Sequence, residues 1–249
     1  MKIKMSVLAA SIAMAMSAAV MAADATQQSS GGNTNPSDTF QSSRDAIDAM
    51  AGFNGNANNA AESFIEQTGS DHDANVVQSG NQWSRITQQD ANNMARVRQE
   101  SGTENESIVN QQDRGNYADV NQAGYRNDSI VDQKGGGGGY NSRHGGGYGS
   151  ANNDAYVRQN GSLNDSYIMQ SGQENYANVN QQGDELDSDI LQDGSYNHAV
   201  VNQYGYGHDS YVSQDGWSNS VNHTQSGGWQ NFAQTVQNGN GNVANVTQY

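Results

Sequence analysis

Gln170-Ser171-Gly172-Gln173-Glu174-Asn175-Tyr176-Ala177-Asn178-Val179-Asn180-Gln181 is the stretch that decides the fold. Asn175, Ala177, Val179 and Gln181 lie at period 2, so in an extended strand all four point to one face. Helical spacing would scatter them around the axis. Gly172 and Gly183, each two residues after a Gln, stand where a tight turn would need positive φ. The stretch therefore reads as a turn followed by a strand whose inward face is half amide and half aliphatic.

The pattern extends far in both directions. Its Gln recurs at Gln67, Gln78, Gln88, Gln99, Gln111, Gln122, Gln133, Gln159, Gln170, Gln181, Gln192, Gln203, Gln214, Gln225, Gln237 and Gln248. Eleven of the fifteen intervals are 11 residues, which fixes a repeat architecture. The one long interval, 26 residues from Gln133 to Gln159, contains the glycines at 135–139 and 145–147 and reads as a loop inserted at 134–150. Candidate inward Asn partners of the Gln comb are Asn116, Asn127, Asn164, Asn175, Asn197 and Asn242, and candidate turn glycines are Gly161, Gly172, Gly183, Gly194, Gly205 and Gly216.

A second layer of order lies four residues before each Gln, where Ser63, Ala74, Ser84, Ala95, Ser107, Ala118, Ser129, Ala155, Ser166, Ala177, Ser188, Ala199 and Ser210 alternate. The alternation breaks at Val221, Ala233 and Ala244. The true repeat is thus about 22 residues in two unlike halves, and eight such units fit between Ala60 and Tyr249. One strand buries one large aliphatic side chain, worth roughly 1.5–3 kcal/mol. Ordering each of its residues costs about 1–2 kcal/mol, so the units are stable only when stacked. Stacking at about 4.8 Å places each Gln and Asn over its counterpart and lets the amides bond as ladders. The expected fold is all-β: a β-solenoid of two facing parallel sheets in about eight two-strand turns, stacking into a cross-β amyloid fibre.

Lys2 and Lys4 precede an Ala/Met-rich apolar run from 5 to 21 that ends in Ala22 and Ala23. This reads as a secretory signal peptide over 1–23, followed by a flexible polar leader over 24–59 and the repeat array over 60–249. Ser42 and Asp45 fit a capping box for one short helix over 42–50. No second apolar stretch follows, so no membrane span is expected. The net charge of -15 argues against nucleic acid or an anionic membrane as partner and slows self-association at neutral pH. There is no cysteine, so no disulfide can staple the chain.

The stretch 170–181 resembles the repeat of curli fibre subunits: Ser, five residues, Gln-x-Gly, two residues, Asn-x-Ala, three residues, Gln. The end at Thr247-Gln248-Tyr249 is similar to that of curli major subunits. Two features depart from the motif: the strand Ser lies four rather than six residues before Gln, and the Gly-rich insertion has no counterpart. The resemblance implies a structural subunit of an extracellular functional amyloid, secreted through the outer membrane to a cell-surface fibre of the biofilm matrix and serving adhesion. It implies that the Gln and Asn positions are inward ladder residues and that the leader is a secretion-targeting segment. The implied partners are further copies of the chain, a minor nucleator subunit, the outer-membrane curli channel and periplasmic chaperones. The final strand, with no cap beyond Tyr249, is expected to template the first turn of another copy.

No catalytic constellation recurs along the array and no cofactor is implied, so an enzyme is not expected. His72 and His208 occupy Asn positions, His223 an inward Val position and His198 an outward one, and His144 falls in the insertion. Histidines so dispersed do not make a metal site. Asp184, Glu185, Asp187 and Asp189 read as a solvated acidic edge, and Tyr117, Tyr156, Tyr167, Tyr176 and Tyr211 as an outward, sticky lateral surface. The alternatives are the minor nucleator of the same fibre and a monomeric ice-binding or surface-binding solenoid. Mixed outward residues in place of flat rows of Thr disfavour an ice binder.

Overall fold

The computed structural model describes residues 61–135 and 151–249. The signal-peptide and leader expectations, the helix over 42–50, His144 and all of the insertion beyond Gly135 lie outside the described residues. Sixteen strands follow one another: β1 (Glu62–Ser70), β2 (Asp73–Gln78), β3 (Trp83–Ala91), β4 (Met94–Thr103), β5 (Glu106–Gln111), β6 (Tyr117–Tyr125), β7 (Asp128–Lys134) and β8 (Asp154–Ser162) in the first half. The second half comprises β9 (Asp165–Gln173), β10 (Tyr176–Asp184), β11 (Asp187–Ser195), β12 (His198–Tyr206), β13 (Asp209–Trp217), β14 (Ser220–Trp229), β15 (Phe232–Asn240) and β16 (Val243–Gln248). Odd-numbered strands form one eight-stranded sheet and even-numbered strands the other. All neighbours pair in parallel. This is the expected β-solenoid of eight two-strand turns.

The Ser/Ala alternation follows from that winding. Ser-type strands fall in the odd sheet and Ala-type strands in the even sheet, with Ser188 paired to Ser166 and Ser210, and Ala177 to Ala155 and Ala199. Between the sheets a single apolar seam runs the length of the stack, built from Ile86, Val97, Val109, Val120, Val131, Val157, Ile168, Val179, Ile190, Val201 and Val212 with the small alanines beside them. One aliphatic per strand suffices because each touches the strands above, below and opposite.

The stack is continuous across the insertion. β6 pairs with β8 and β7 with β9 in the same register as elsewhere, Gln122 opposite Gln159 and Gln133 opposite Gln170.

The turn glycines serve a different purpose from the one their spacing suggests. Gly161, Gly172, Gly183, Gly194, Gly205 and Gly216 do have positive φ, from 113° to 143°, but they lie inside the strands as defined by pairing. The left-handed turn positions are filled instead by Leu163, Glu174, Glu185, Tyr196 and Ser218, with φ of 53° to 60°. Each is held by a backbone hydrogen bond to the rung before, such as Glu185 N–H to Ser162 O at 2.9 Å and Tyr196 N–H to Gln173 O at 3.0 Å. What requires glycine is close approach. A Cβ on Gly183 would overlap the carbonyl oxygen of Gly205 and sit 2.8 Å from its carbonyl carbon.

Candidate functional site: the amide ladders and the two ends

Because each strand presents Gln inward at the same register, the sixteen Gln fall into two columns, eight on each sheet. In the odd sheet Gln67, Gln88, Gln111, Gln133, Gln170, Gln192, Gln214 and Gln237 are joined by Nε2–H to Oε1 bonds of 2.8–3.0 Å. In the even sheet Gln78, Gln99, Gln122, Gln159, Gln181, Gln203, Gln225 and Gln248 are joined by bonds of 2.6–3.0 Å. The remaining amide hydrogen closes the coil: Gln181 Nε2 also donates to Asp165 O at 2.7 Å and Leu186 O at 3.0 Å on the opposite side of the turn. Buried amides are affordable here because every donor has an acceptor.

The Asn residues form two further columns at the corners. Asn116, Asn175, Asn197 and Asn242 share one with His72, Asn93, Asn153 and Asn219, in which each backbone N–H donates to the side chain one rung earlier, at 2.9–3.4 Å. Asn127 and Asn164 share the other with Gln82, Asn105, Leu186, His208 and Asn231. The sequence reading omitted Asn93, Asn105, Asn153, Asn219 and Asn231, although each lies six residues before a comb Gln and could have been found by that offset. Leu186 interrupts its column. Its side chain accepts nothing, and within the column only its N–H joins, to Asn164 Oδ1 at 3.1 Å.

His72 and His208 substitute for Asn by chemistry rather than by drift. His208 Nδ1 accepts the Asn231 N–H at 3.2 Å and its Nε2 lies 3.1 Å from Tyr204 O, the two roles that Oδ1 and Nδ2 play in an Asn. Only the neutral ring protonated at Nε2 can do both. Burial holds the His208 pKa down, with the Tyr204 carbonyl opposing.

His223 takes the inward position between Val201 and Val246 and is completely buried. Its Nδ1 lies 2.8 Å from Ser210 Oγ and its Nε2 2.7 Å from Thr235 Oγ1, and desolvation lowers its pKa from 6.5 to about 4. Because the folded pKa lies below the unfolded one, the unfolded chain binds the extra proton between these values. The stability contribution is complete above about pH 6.5 and declines as pH falls toward 4, by about 3 kcal/mol in all. His223→Val is expected to flatten the acid limb of a denaturant-midpoint-versus-pH curve in that window. At neutral pH it costs about 1–2 kcal/mol, because the Ser210 and Thr235 hydroxyls lose their partner.

Two surface expectations are corrected. Tyr167 and Tyr211 are 3% and 8% exposed, and Asp187 and Asp189 are each 2% exposed. All four lie on the odd sheet at positions that alternation places outside the apolar seam, and alternation fixes the side of the sheet without fixing whether that side meets water. Of the five tyrosines, Tyr117, Tyr156 and Tyr176 remain at the surface, on the even sheet, where they stack in a row with His198. Among the described residues no group of three His, Asp or Glu converges as metal ligands would.

No curated protein matches the chain. A family model of the curlin associated repeat matches twice in succession, at residues 151–183 and 183–216. Each match spans three successive strands, β8, β9 and nearly all of β10 in the first and β11, β12 and nearly all of β13 in the second. The same ladders run unchanged through the turns on either side, so residues 151–216 are similar to curlin associated repeats and the flanking turns share their register.

Proposed function

We propose that the protein is the structural subunit of an extracellular functional amyloid fibre that grows by stacking the last turn of one copy on the first turn of the next. The polarity of the ladders carries this reading. Every Gln bond runs from Nε2 of the earlier rung to Oε1 of the later one, whereas every Asn-column bond runs from N–H of the later rung to the side chain of the earlier. Among the described residues, Gln237 and Gln248 have no later rung to donate to, and the first-turn Gln67 and Gln78 have no earlier rung from which to accept. A head-to-tail junction satisfies both ladders at once. Like-to-like junctions oppose donor to donor or acceptor to acceptor.

Placed in the register used throughout, β15 meets β1 and β16 meets β2, with Val236 beside Glu66 and Val243 beside Asp73. Val236 and Val243 are 65% and 71% exposed, so charge placed there leaves the coil intact. Val236→Glu with Val243→Asp is expected to lengthen the lag of thioflavin-detected growth at neutral pH and low salt by several-fold. Acidification or salt should relieve the delay, since like charges directly opposite on parallel strands are destabilising. Unchanged growth would remove this junction from consideration.

Fibres of this kind serve biofilm cohesion and adhesion, with a minor nucleator subunit, an outer-membrane channel and periplasmic chaperones as partners. Support for these roles comes from the resemblance of residues 151–216 to curlin repeats. Unlike the alternatives of nucleator or monomeric surface binder, the structural-subunit reading accounts for two ends that are each complementary to the other.

A further inference from the structure

A chain with no cysteine carries twelve tyrosines, and three of them are packed ring on ring. Tyr117 on β6, Tyr156 on β8 and Tyr176 on β10 are half-buried on the even sheet, with centroids 5.5 Å and 5.6 Å apart and planes tilted by 46° and 40°. The register explains the row: Tyr117 lies opposite Asp154 and Tyr156 opposite Asp119, a diagonal pair within aromatic reach. We propose that this row is an oxidative cross-linking site, at which one-electron oxidants convert Tyr117–Tyr156 or Tyr156–Tyr176 to dityrosine.

Each phenol gives up one electron and its hydroxyl proton. The two radicals join through the ring carbons ortho to oxygen, and the hydrogens on those carbons move to the oxygens as the rings regain aromaticity. One C–C bond forms, two C–H bonds break, and two electrons pass to two equivalents of oxidant while two protons leave. Tyr117 has an acceptor for its proton in place, since its hydroxyl donates to Asp119 Oδ2 at 3.2 Å. Burial raises the Tyr117 and Tyr156 pKa values, so the phenols stay protonated and electron loss must be accompanied by proton loss. The Tyr117–Tyr156 bond would close the part of the chain that contains the insertion, the longest excursion between adjacent rungs. A cross-link over such a loop stabilises chiefly by restricting the unfolded chain.

The test uses the full folded chain as a monomer, so it is independent of fibre growth. Photogenerated ruthenium(III) tris-bipyridine with persulfate is the oxidant, followed by peptide mapping and dityrosine emission. The expected products are intramolecular Tyr117–Tyr156 and Tyr156–Tyr176 peptides. Tyr156→Phe should lower emission at least fivefold with circular dichroism unchanged, Tyr204→Phe should leave it unaltered, and the oxidised wild type should show a higher denaturant midpoint than identically treated Tyr156→Phe. Tyr125, Tyr204 and Tyr249 are more exposed, at 42%, 37% and 89%. Cross-links mapping to those residues, or emission that survives Tyr156→Phe, would overturn the proposal.

Discussion

Gly183→Ala is expected to disrupt the stack severely, as the same change would at Gly161 or Gly172. The added Cβ would overlap the Gly205 carbonyl oxygen and approach its carbon to 2.8 Å, and the backbone there has φ of +143°, a conformation L side chains rarely adopt. The conformational strain alone is of order 1–3 kcal/mol. The overlap adds to it, because relief requires the rungs to separate and every ladder bond between them stretches together. A total loss above about 4 kcal/mol is expected, large against the stability of a typical domain. The control is Gly241→Ala, where φ is +67° and a Cβ meets nothing within 4 Å. That change should cost only about 1 kcal/mol. Denaturant midpoints of the two variants, measured side by side, should therefore differ widely although both glycines have positive φ. Equal losses would mean that φ alone, and not approach of the next rung, requires glycine.

Gln181→Ala is the second large effect. Gln181 donates to Gln203 Oε1, Asp165 O and Leu186 O and accepts from Gln159 Nε2, all at 2.7–3.0 Å in a buried column. Truncation leaves four groups without that partner and opens a void of amide size. At about 1–3 kcal/mol for each unsatisfied buried group, partly offset by entering water, a net loss of about 3–5 kcal/mol is expected. Asn180→Ala next to it removes an outward side chain bonded only to Tyr204 Oη at 3.1 Å and should change stability by less than about 0.5 kcal/mol. Equal effects at the two neighbours would contradict the inward ladder.

These two sites show what the sequence made legible. The comb of Gln and its period-2 companions are legible because one strand face repeats every 11 residues, and the Ser/Ala alternation distinguishes the two sheets because each sheet takes every second strand. Corner geometry was less accessible. Leu163, Glu174 and Glu185 accept left-handed φ because a carbonyl one rung away holds each amide, a contact 22 or more residues distant that no local propensity records. The polarity of the ladders was also hidden, since an amide side chain can donate or accept in either direction until its neighbours choose. Tyr167 and Tyr211 were misjudged for the converse reason, that outward and exposed are different properties. His208 and His223 looked alike as departures from the repeat. Their environments separate them: one reproduces the two bonds of an Asn, and the other replaces a Val and must find hydroxyl partners in the core.

The acidic limb follows from the same distinctions. Carboxylate repulsion between copies fades as pH falls toward the pI of about 4.4, which favours growth. Protonation of His223 at about 4 opposes it by weakening the turns that form one end. Fibre growth should therefore pass through a maximum on acidification, and His223→Val should extend the favourable range to lower pH.

Head-to-tail stacking is tested most directly by the axial rise per molecule in a helical reconstruction of the fibre. Eight rungs at about 4.8 Å give a rise of roughly 38 Å per copy, with parallel sheets running unbroken through each junction and Gln237 above Gln67 of the next molecule. A rise of about 4.8 Å per copy, with whole chains layered flat in register, would contradict the account.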